Sequence, residues 1–447
     1  GPDNGPCWFD GDGPPAPAIR AARNHPTIDE AISRVIGGDV IVGMSPEVRT
    51  CEDYSDILGH LTVESEAPIG AVIGQWYHTF DTGSAASAAR MVVLRGAGYR
   101  LAVLLEADNG HKRVYVKDAR SGTPISAGFA FGPYYKTSGM AAIPDFAGTR
   151  AAEIAVAGVN TNTGRVAVRI LDSGSGEQIN ELTFSSTYLP RDIVAVRDFG
   201  GDNAWEVALL GTHVTTGRIL VRIKDASSGA TLSDLFFAPT HATVDLATVP
   251  DFEATAADEI ALLGVRPDTG AVTVRMRDAE SGDALDSLPF PQAFRPKSLV
   301  VLGDLDGGGV PEIGVLGIRD ATAQVRVRFK DAVTGLKTSD VVFSERYVPE
   351  TALAVTDFAG TPADEVGVLG IDDSDNVMLR IKDAEDGERL QDLPFSSQYQ
   401  PLSVVTFPGI GGDTRVAVLG RHRVDGSYLI RVKSVSTGAT LATIPVP

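Results

Sequence analysis

The sequence predicts an all-β fold, a seven-bladed β-propeller of four-stranded antiparallel blades, from three observations. From about residue 91 to residue 447 one pattern recurs at intervals of 53 residues or close to it. Each copy contains four short segments of strand length, and no copy shows the periodicity of an amphipathic helix. A repeat of roughly 50 residues with four strands is typical of a propeller blade.

Each copy begins with an aspartate loop and a strand that starts at a glutamate. Asp145 is followed by Glu153, which begins an apolar segment that ends at Gly158. The same three positions recur at Asp198, Glu206 and Gly211; Asp251, Glu259 and Gly264; Asp304, Glu312 and Gly317; and Asp357, Glu365 and Gly370. Arg100 and Arg415 replace the glutamate in the first and last copies, as expected of units that flank the closure of a ring.

The second strand of each copy carries basic residues at alternate positions, as in residues 325–330, and ends in an Asp-to-Gly turn such as 331–335. This pattern predicts a hairpin, because Asp binds the turn amides and Gly adopts the left-handed conformation. The third strand ends on an aromatic residue: Phe131, Phe184, Phe237, Phe290, Phe343 and Phe395. The fourth is the apolar run before the next aspartate, such as residues 193–196.

Continuous apolar inner strands favour sheets that are buried on both faces, as stacked blades are. An open β-solenoid, which has shorter rungs, and a row of small sandwiches of about 100 residues each are the alternatives. A ring of eight blades is a further alternative, with residues 3–90 contributing one blade.

Residues 3–90 do not share the repeat. This segment holds the only two cysteines, Cys7 and Cys51. We expect a disulfide between them in an exported protein, with two reduced thiols as the alternative. The segment either packs on the propeller or completes it. Gly1-Pro2 resembles the residues that remain on a protein after a protease has removed its tag, so residues 1–2 are interpreted as an expression scar.

The net charge of −19 argues against nucleic acid as a partner, since phosphate binding needs clustered Lys and Arg. No apolar run reaches the length of a membrane span, which argues against insertion into a membrane.

The second strand also carries a recurrent set of arginines: Arg169, Arg222, Arg275, Arg328, Arg380 and Arg431. Antiparallel pairing of the two strands favours internal ion pairs between these arginines and the glutamates.

One aspartate loop resembles that of a known family. Residues 303–313 read GDLDGGGVPEI, which is similar to the D-x-D-G-D-G-x-x-D/E loop of the FG-GAP or VCBS repeats of integrin-like propellers, and four other copies carry weaker versions. The resemblance implies a secreted or cell-surface protein and a calcium ion held by Asp304, Asp306 and Glu312. Gly308 stands where the family has a third carboxylate. No other cofactor is expected.

Another periodic position lies between copies. Its residues are Tyr135, Tyr188, His241, Phe294, Tyr347 and Tyr399. Connections between blades reach a face of the disc, where such rings could stack on sugars. The alternative is that each ring fills the gap between adjacent blades.

The sequence contains no H-E-x-x-H, G-x-S-x-G or P-loop motif, and no catalytic residue is assigned. We expect a non-catalytic extracellular binding or adhesion propeller, lectin-like, that recognises a glycan or a protein. A carbohydrate-active enzyme, either a propeller-fold lyase or a glycoside hydrolase, and a structural spacer of a larger surface protein are the alternatives. Any specific site is expected where the copies differ.

Overall fold

The computed structural model describes residues 89–95, 98–106, 111–126, 128–255, 257–355, 364–409 and 413–447. These residues form 28 β-strands, and no helix is present among them. Accordingly, the described part of the chain offers no helix that could span a membrane.

The strands group into seven four-stranded antiparallel sheets, which are the blades. Blades 1 to 4 consist of β1 Arg90–Leu94, β2 Arg100–Glu106, β3 Lys112–Asp118 and β4 Phe129–Ala130; β5 Tyr135–Ile143, β6 Glu153–Asn160, β7 Val166–Asp172 and β8 Gln178–Phe184; β9 Tyr188–Val196, β10 Glu206–His213, β11 Ile219–Asp225 and β12 Thr231–Phe237; and β13 Ala242–Val249, β14 Glu259–Val265, β15 Val272–Asp278 and β16 Leu288–Phe290. Blades 5 to 7 consist of β17 Phe294–Leu302, β18 Glu312–Arg319, β19 Gln324–Asp331 and β20 Lys337–Val342; β21 Tyr347–Val355, β22 Glu365–Asp372, β23 Val377–Asp383 and β24 Arg389–Pro394; and β25 Tyr399–Pro408, β26 Thr414–His422, β27 Tyr428–Ser434 and β28 Thr440–Val446.

The blades form a closed ring. The first strand of each blade contacts the first strand of the next, and β25 of blade 7 contacts β1 of blade 1. The predicted seven-bladed propeller is therefore confirmed. Because blade 7 packs directly on blade 1, the ring has no place for an eighth blade.

The grouping of strands differs from the sequence units in one respect. The apolar run before each aspartate loop pairs with the glutamate strand that follows the loop, as Ile143 pairs with Glu153. It is therefore the innermost strand of the next blade, and not the last strand of its own unit. The short loop makes this local pairing the easier one to form.

The hydrophobic core is divided among the seven joints between blades. Each buried cluster combines residues of two neighbouring blades. The closing joint has the same character as the others: Leu101, Val103 and Met91 of blade 1 pack with Phe407 and Ile430 of blade 7. Apolar packing therefore closes the ring without a strand shared between its two ends.

Hydrogen bonds between first strands reinforce these joints near the axis. Leu299 N donates to Asp245 Oδ2 at 2.7 Å, and Ala352 N donates to Ser298 Oγ at 3.0 Å. At the closing joint, Met91 N donates to Ser403 Oγ at 3.3 Å.

Strand order gives the disc two chemically different faces. The loops between first and second strands and those between third and fourth strands lie at one end of each blade, which we call the carboxylate face. The remaining hairpins and the connections between blades lie at the opposite end, the linker face. The predictions for Cys7, Cys51 and nearly all of residues 3–90 fall outside the described residues.

Candidate functional site

The aspartate loops share one shape that the leading aspartate imposes. In blade 5, Asp304 Oδ1 accepts a hydrogen bond from Gly307 N at 2.7 Å, and its Oδ2 accepts one from Gly309 N at 2.8 Å. Both glycines have a positive φ, which glycine adopts without strain. Asp145 and Asp198 bind the equivalent amides in blades 2 and 3.

The recurrent glutamate anchors each loop from below. The Glu312 side chain is fully buried, and its Oε2 accepts a hydrogen bond from Leu305 N at 2.8 Å. Glu153, Glu206 and Glu259 are buried in the same way and bind the amide that follows each leading aspartate.

Across the β-ladder, each glutamate faces the aspartate of the Asp-to-Gly turn. Glu312 lies opposite Asp331, as Glu153 lies opposite Asp172. Sequence reasoning missed Asp331 as a member of the site, because the residue was assigned only to its own turn. The strand register that makes the two carboxylates neighbours was the signal that could have found it.

Two other blades tie the loop to this turn with a hydroxyl group. Thr149 Oγ1 donates to Asp172 Oδ2 at 2.5 Å, and Thr255 Oγ1 donates to Asp278 Oδ2 at 2.6 Å. The equivalent residue in blade 5 is Gly308, which has no side chain to offer. Instead of a hydroxyl tether, blade 5 has a second loop carboxylate, Asp306, whose Oδ1 accepts from Gly308 N at 2.9 Å.

The structure brings the three predicted metal ligands together. One carboxylate oxygen from each of Asp304, Asp306 and Glu312 lies within 4.8 Å of the other two. Asp304 and Asp306 are exposed, and Glu312 Oε1 is buried without a hydrogen-bond partner among the described residues. Converging carboxylate oxygens are the donor set that calcium prefers, so these residues fit the ion that the family resemblance implies.

The electrostatics of the cluster also favour a cation. Burial raises the pKa of Glu312 to about 7, and the negative charges of Asp306, Asp304 and Asp331 contribute to the rise. Burial likewise raises the pKa of Glu153, Glu206 and Glu259 to about 7. A divalent cation at Glu312 would counter both effects, because it compensates the buried charge and removes the repulsion.

The predicted ion pairs between recurrent glutamates and arginines are wrong in their partners. In the antiparallel register Arg169 faces Val156, and it forms its ion pair with Glu181 of the outermost strand at 3.1 Å. Arginines 222, 328 and 380 likewise pair with aspartates 234, 340 and 392. The glutamates instead bind loop amides, as described above.

The six candidate sugar-stacking residues divide into two groups. The rings of Tyr135, Phe294 and Tyr347 are buried between blades, so they have no surface to offer a sugar. Tyr188, His241 and Tyr399 are half-buried on the linker face. Two of these pack on a histidine: Tyr188 lies 5.0 Å from His213 and Tyr399 lies 5.0 Å from His422, measured between ring centroids.

The comparisons with known proteins found only distant structural similarities. No family model matches this sequence, and no curated protein matches it. The Dos1 propeller is similar over 74% of this chain and 75% of its own, with 14% identity and a TM-score of 0.48. A rhamnogalacturonan lyase from Bacillus licheniformis covers 80% of this chain and 74% of its own, with 13% identity and a TM-score of 0.40. Hydrazine synthase from Kuenenia stuttgartiensis covers 80% and 94%, with 11% identity and a TM-score of 0.48.

Such distant similarities say nothing about function. The strand order establishes the propeller by itself, and the FG-GAP or VCBS resemblance depends on the loop residues alone.

Proposed function

We propose that this chain is a non-catalytic binding propeller of a secreted or cell-surface protein. It belongs with the FG-GAP or VCBS-repeat propellers. It recognises a glycan or protein ligand through a calcium ion in blade 5. The observation that carries the proposal is the convergence of Asp304, Asp306 and Glu312 in the blade 5 loop, where Gly308 replaces the tethering threonine of blades 2 and 4.

An ion held by these three residues would be accessible from the carboxylate face. Calcium takes about six to eight oxygen ligands, and the cluster supplies only some of them. Because Asp304 and Asp306 are exposed, a ligand from solvent could reach an ion that they hold. Hydroxyl groups of a glycan or a carboxylate of a protein are suitable oxygen donors for those positions.

Burial of the recurrent acids favours binding over catalysis. A glycoside hydrolase or lyase requires an acid and a base that reach the substrate. Glu153, Glu206, Glu259 and Glu312 have pKa values in the useful range, but all four are fully buried and bound to loop amides. They therefore support the loops and are out of reach of a sugar.

The first experiment is calorimetric titration of calcium into chelator-treated protein. We expect one site in the wild type and at least tenfold weaker binding in Glu312→Gln, which keeps the acceptor for Leu305 N but removes the charge. Glu206→Gln in blade 3 is the matched control and should bind calcium like the wild type. A flat trace for the wild type, or equal loss in both variants, would refute the calcium site.

The second experiment is a glycan-array screen with calcium and with chelator. Binding that needs calcium and is lost in Glu312→Gln supports a glycan ligand at the blade 5 loop. If no glycan on the array binds, the search turns to protein ligands. If neither a glycan nor a protein binds in a calcium-dependent way, the proposal is contradicted.

A further inference from the structure

A cavity lies between the outer strands of blades 5 and 6. Phe343, which follows β20 of blade 5, lines one side. The other sides are lined by Arg380 and Lys382 of β23 and by Arg389 and Asp392 of β24. The cavity volume is about 200 Å³, roughly that of six water molecules at about 30 Å³ each. This space accommodates a phosphate group, which has one phosphorus and four oxygen atoms.

The strand register places these side chains around one space. Arg380 lies opposite Asp392 in the ladder between β23 and β24, and Lys382 lies opposite Arg389. Residues opposite each other in a ladder extend from the same face of the sheet. Here that face is the one toward blade 5, because the Lys382 ammonium group lies 5.9 Å from the centre of the Phe343 ring. The ladder therefore brings three cations and one carboxylate together.

Within the described part of the chain, Arg380 lacks the hydrogen bonds that its counterpart in blade 3 makes. Arg222 donates two hydrogen bonds of 2.6 Å to Asp234, the residue opposite it. In blade 6 the opposite carboxylate, Asp392, accepts from Arg389 at 2.6 Å and lies 3.7 Å from Arg380 Nε. Among the described residues, Arg380 Nε is buried without a hydrogen-bond partner, and so is Asp392 Oδ1. The cavity therefore offers a ligand one buried donor and one buried acceptor.

The difference between the two blades comes from one position on the outermost strand. At the position of Arg389, blade 3 has Thr231. A threonine has no charge that could draw the aspartate of its strand away from the arginine opposite. Arg389 has that charge, and its side chain is 67% exposed. A change at residue 389 therefore alters the charge of the cavity without disturbing the core.

The charges that line the cavity favour a dianion. Three cationic side chains and one carboxylate leave an excess of two positive charges. Burial lowers the pKa of Lys382, and the charges of Arg389 and Arg380 lower it further. The opposing effects of Asp392 and Asp386 on this pKa are smaller. A phosphate monoester carries about 1.5 to 2 negative charges at neutral pH, so it would relieve the repulsion among the cations.

We propose that the cavity between blades 5 and 6 binds a small sugar phosphate. The phosphate oxygens accept hydrogen bonds from Arg380 Nε, Lys382 and Arg389, since guanidinium and ammonium groups are common partners of phosphate. A sugar hydroxyl donates to Asp392 Oδ1, which gives this buried acceptor a partner. The Phe343 ring is an apolar wall beside the sugar.

The test is a calorimetric titration at about pH 7.5, where the ester is mostly dianionic. The protein is first freed of divalent cations on a chelating resin, because a soluble chelator is itself an anion. The probe is glucose 6-phosphate. The controls are glucose 6-sulfate, which has one negative charge, and inorganic phosphate, which has no sugar hydroxyl for Asp392. We expect one glucose 6-phosphate per chain and at least tenfold weaker binding of both controls, about the value of one charge-assisted hydrogen bond.

Arg389→Thr copies the arrangement of blade 3. It removes one cation and releases Asp392 to bind Arg380, so it should weaken binding of glucose 6-phosphate at least tenfold. Arg266→Thr is the matched control, because Arg266 also pairs with a nearby aspartate, Asp268, but lies on the linker face of blade 4. It changes the net charge equally and should bind like the wild type. An unchanged melting temperature will verify the folding of both variants.

NMR of the arginine Nε–H groups locates the bound ligand. The signal of Arg380, identified by its loss in Arg380→Lys, should shift when glucose 6-phosphate is added. Glu312→Gln should bind glucose 6-phosphate like the wild type, so the result is independent of the proposed calcium site.

Equal affinity for glucose 6-phosphate and either control ligand, unchanged binding in Arg389→Thr, or equal loss in Arg266→Thr would each overturn the proposal. So would an Arg380 signal that does not shift at millimolar glucose 6-phosphate.

Discussion

At the scale of single residues, the recurrent glycine near the end of the glutamate strand is explained in blades 2, 5 and 6 by the ring beside it. An added Cβ on Gly158 would lie 2.6 Å from Cε1 of Tyr135, and on Gly317 it would lie 2.7 Å from Cε1 of Phe294. These distances are far below normal carbon contacts. The glycine and the ring therefore form a steric pair, and the pair fixes where the inner strand enters the blade.

Gly370→Ala tests this steric pair. The new methyl group would lie 2.4 Å from the Val348 carbonyl oxygen and 2.8 Å from the Tyr347 ring, so backbone must move to admit it. We expect a loss of about 1–3 kcal/mol in the free energy of unfolding, measured by urea denaturation in chelator.

Gly132→Ala is the control, because nothing lies within 4 Å of its added Cβ. Its stability should stay within about 0.5 kcal/mol of the wild type. Equal stability of Gly370→Ala and wild type would show that the ring moves aside without cost.

The sequence identified this glycine as the end of an apolar segment, but it did not show the steric reason for a glycine there. The ring belongs to the first residue of the inner strand. The sequence units assigned this residue and the glycine to different blades. Strand pairing places them in one blade, so that Tyr347 and Gly370 are neighbours. The same lack of register information led to the wrong partner for Arg169.

At the scale of elements, the aspartate loops keep one backbone shape with two chemistries. Thr149 and Thr255 close the loops of blades 2 and 4 through a hydroxyl bond to the turn aspartate. Gly308 leaves the loop of blade 5 open, with Asp306 turned toward the same space. Asp304, Asp306 and Glu312 were predictable because they lie within nine residues of sequence. Asp331 was not, because only the ladder between β18 and β19 brings it there.

Gly308→Thr should convert the blade 5 loop to the hydroxyl-closed type. Gly308 does not have a positive φ, and its added Cβ meets Asp306 Oδ1 at 2.9 Å, which a side chain can relieve by rotating. A threonine hydroxyl would then bind Asp331 and displace Asp306. We expect calcium affinity to fall at least tenfold, and stability in chelator to rise by about 1 kcal/mol.

Thr149→Gly is the reverse change and serves as the control for the tether. Its loss of the bond to Asp172 should lower stability by about 1 kcal/mol without changing calcium binding at blade 5. If Gly308→Thr binds calcium as tightly as the wild type, the open loop is not what sets the site apart.

At the scale of the whole molecule, the ring distributes a set of buried acids around one face. Seven blades were predictable because each copy carries its own strand pattern, and the apolar closure between blades 7 and 1 resembles every other joint. The glutamates were expected inside the propeller as ion pairs with arginines. Their burial in blades 2 to 5, without a cationic partner among the described residues, was not predictable, because a buried carboxylate is usually paired. Because these buried glutamates recur around the ring, the stability of the whole propeller should depend on pH.

The propeller should be less stable at about pH 7.5 than at about pH 5 when no divalent cation is present. The pKa values of Glu153, Glu206, Glu259 and Glu312 rise from 4.5 to about 7 on folding, and burial raises that of Asp245 from 3.8 to about 7. Between these limits the folded chain holds protons that the unfolded chain releases. The free energy of unfolding must therefore fall as pH rises through this window.

Among the residues that the structure describes, one group opposes this trend. Burial lowers the pKa of His241 from 6.5 to about 4, so its contribution increases with pH over that interval, but it is a single group against five carboxyls. Aspartates such as Asp172, whose pKa is lowered from 3.8, act only below the window. Urea denaturation in chelator should thus give a lower midpoint at pH 7.5 than at pH 5.

A triple variant with Gln at positions 153, 206 and 259 identifies the source of the effect. Glutamine does not titrate, so the difference between the two pH values should shrink by more than half. Calcium should reduce the remaining difference in the wild type, because the ion holds Glu312 as a carboxylate and stabilises the folded state most at the higher pH. A midpoint that increases from pH 5 to 7.5 in chelator would contradict the assignment of these carboxyls as buried acids that keep their protons.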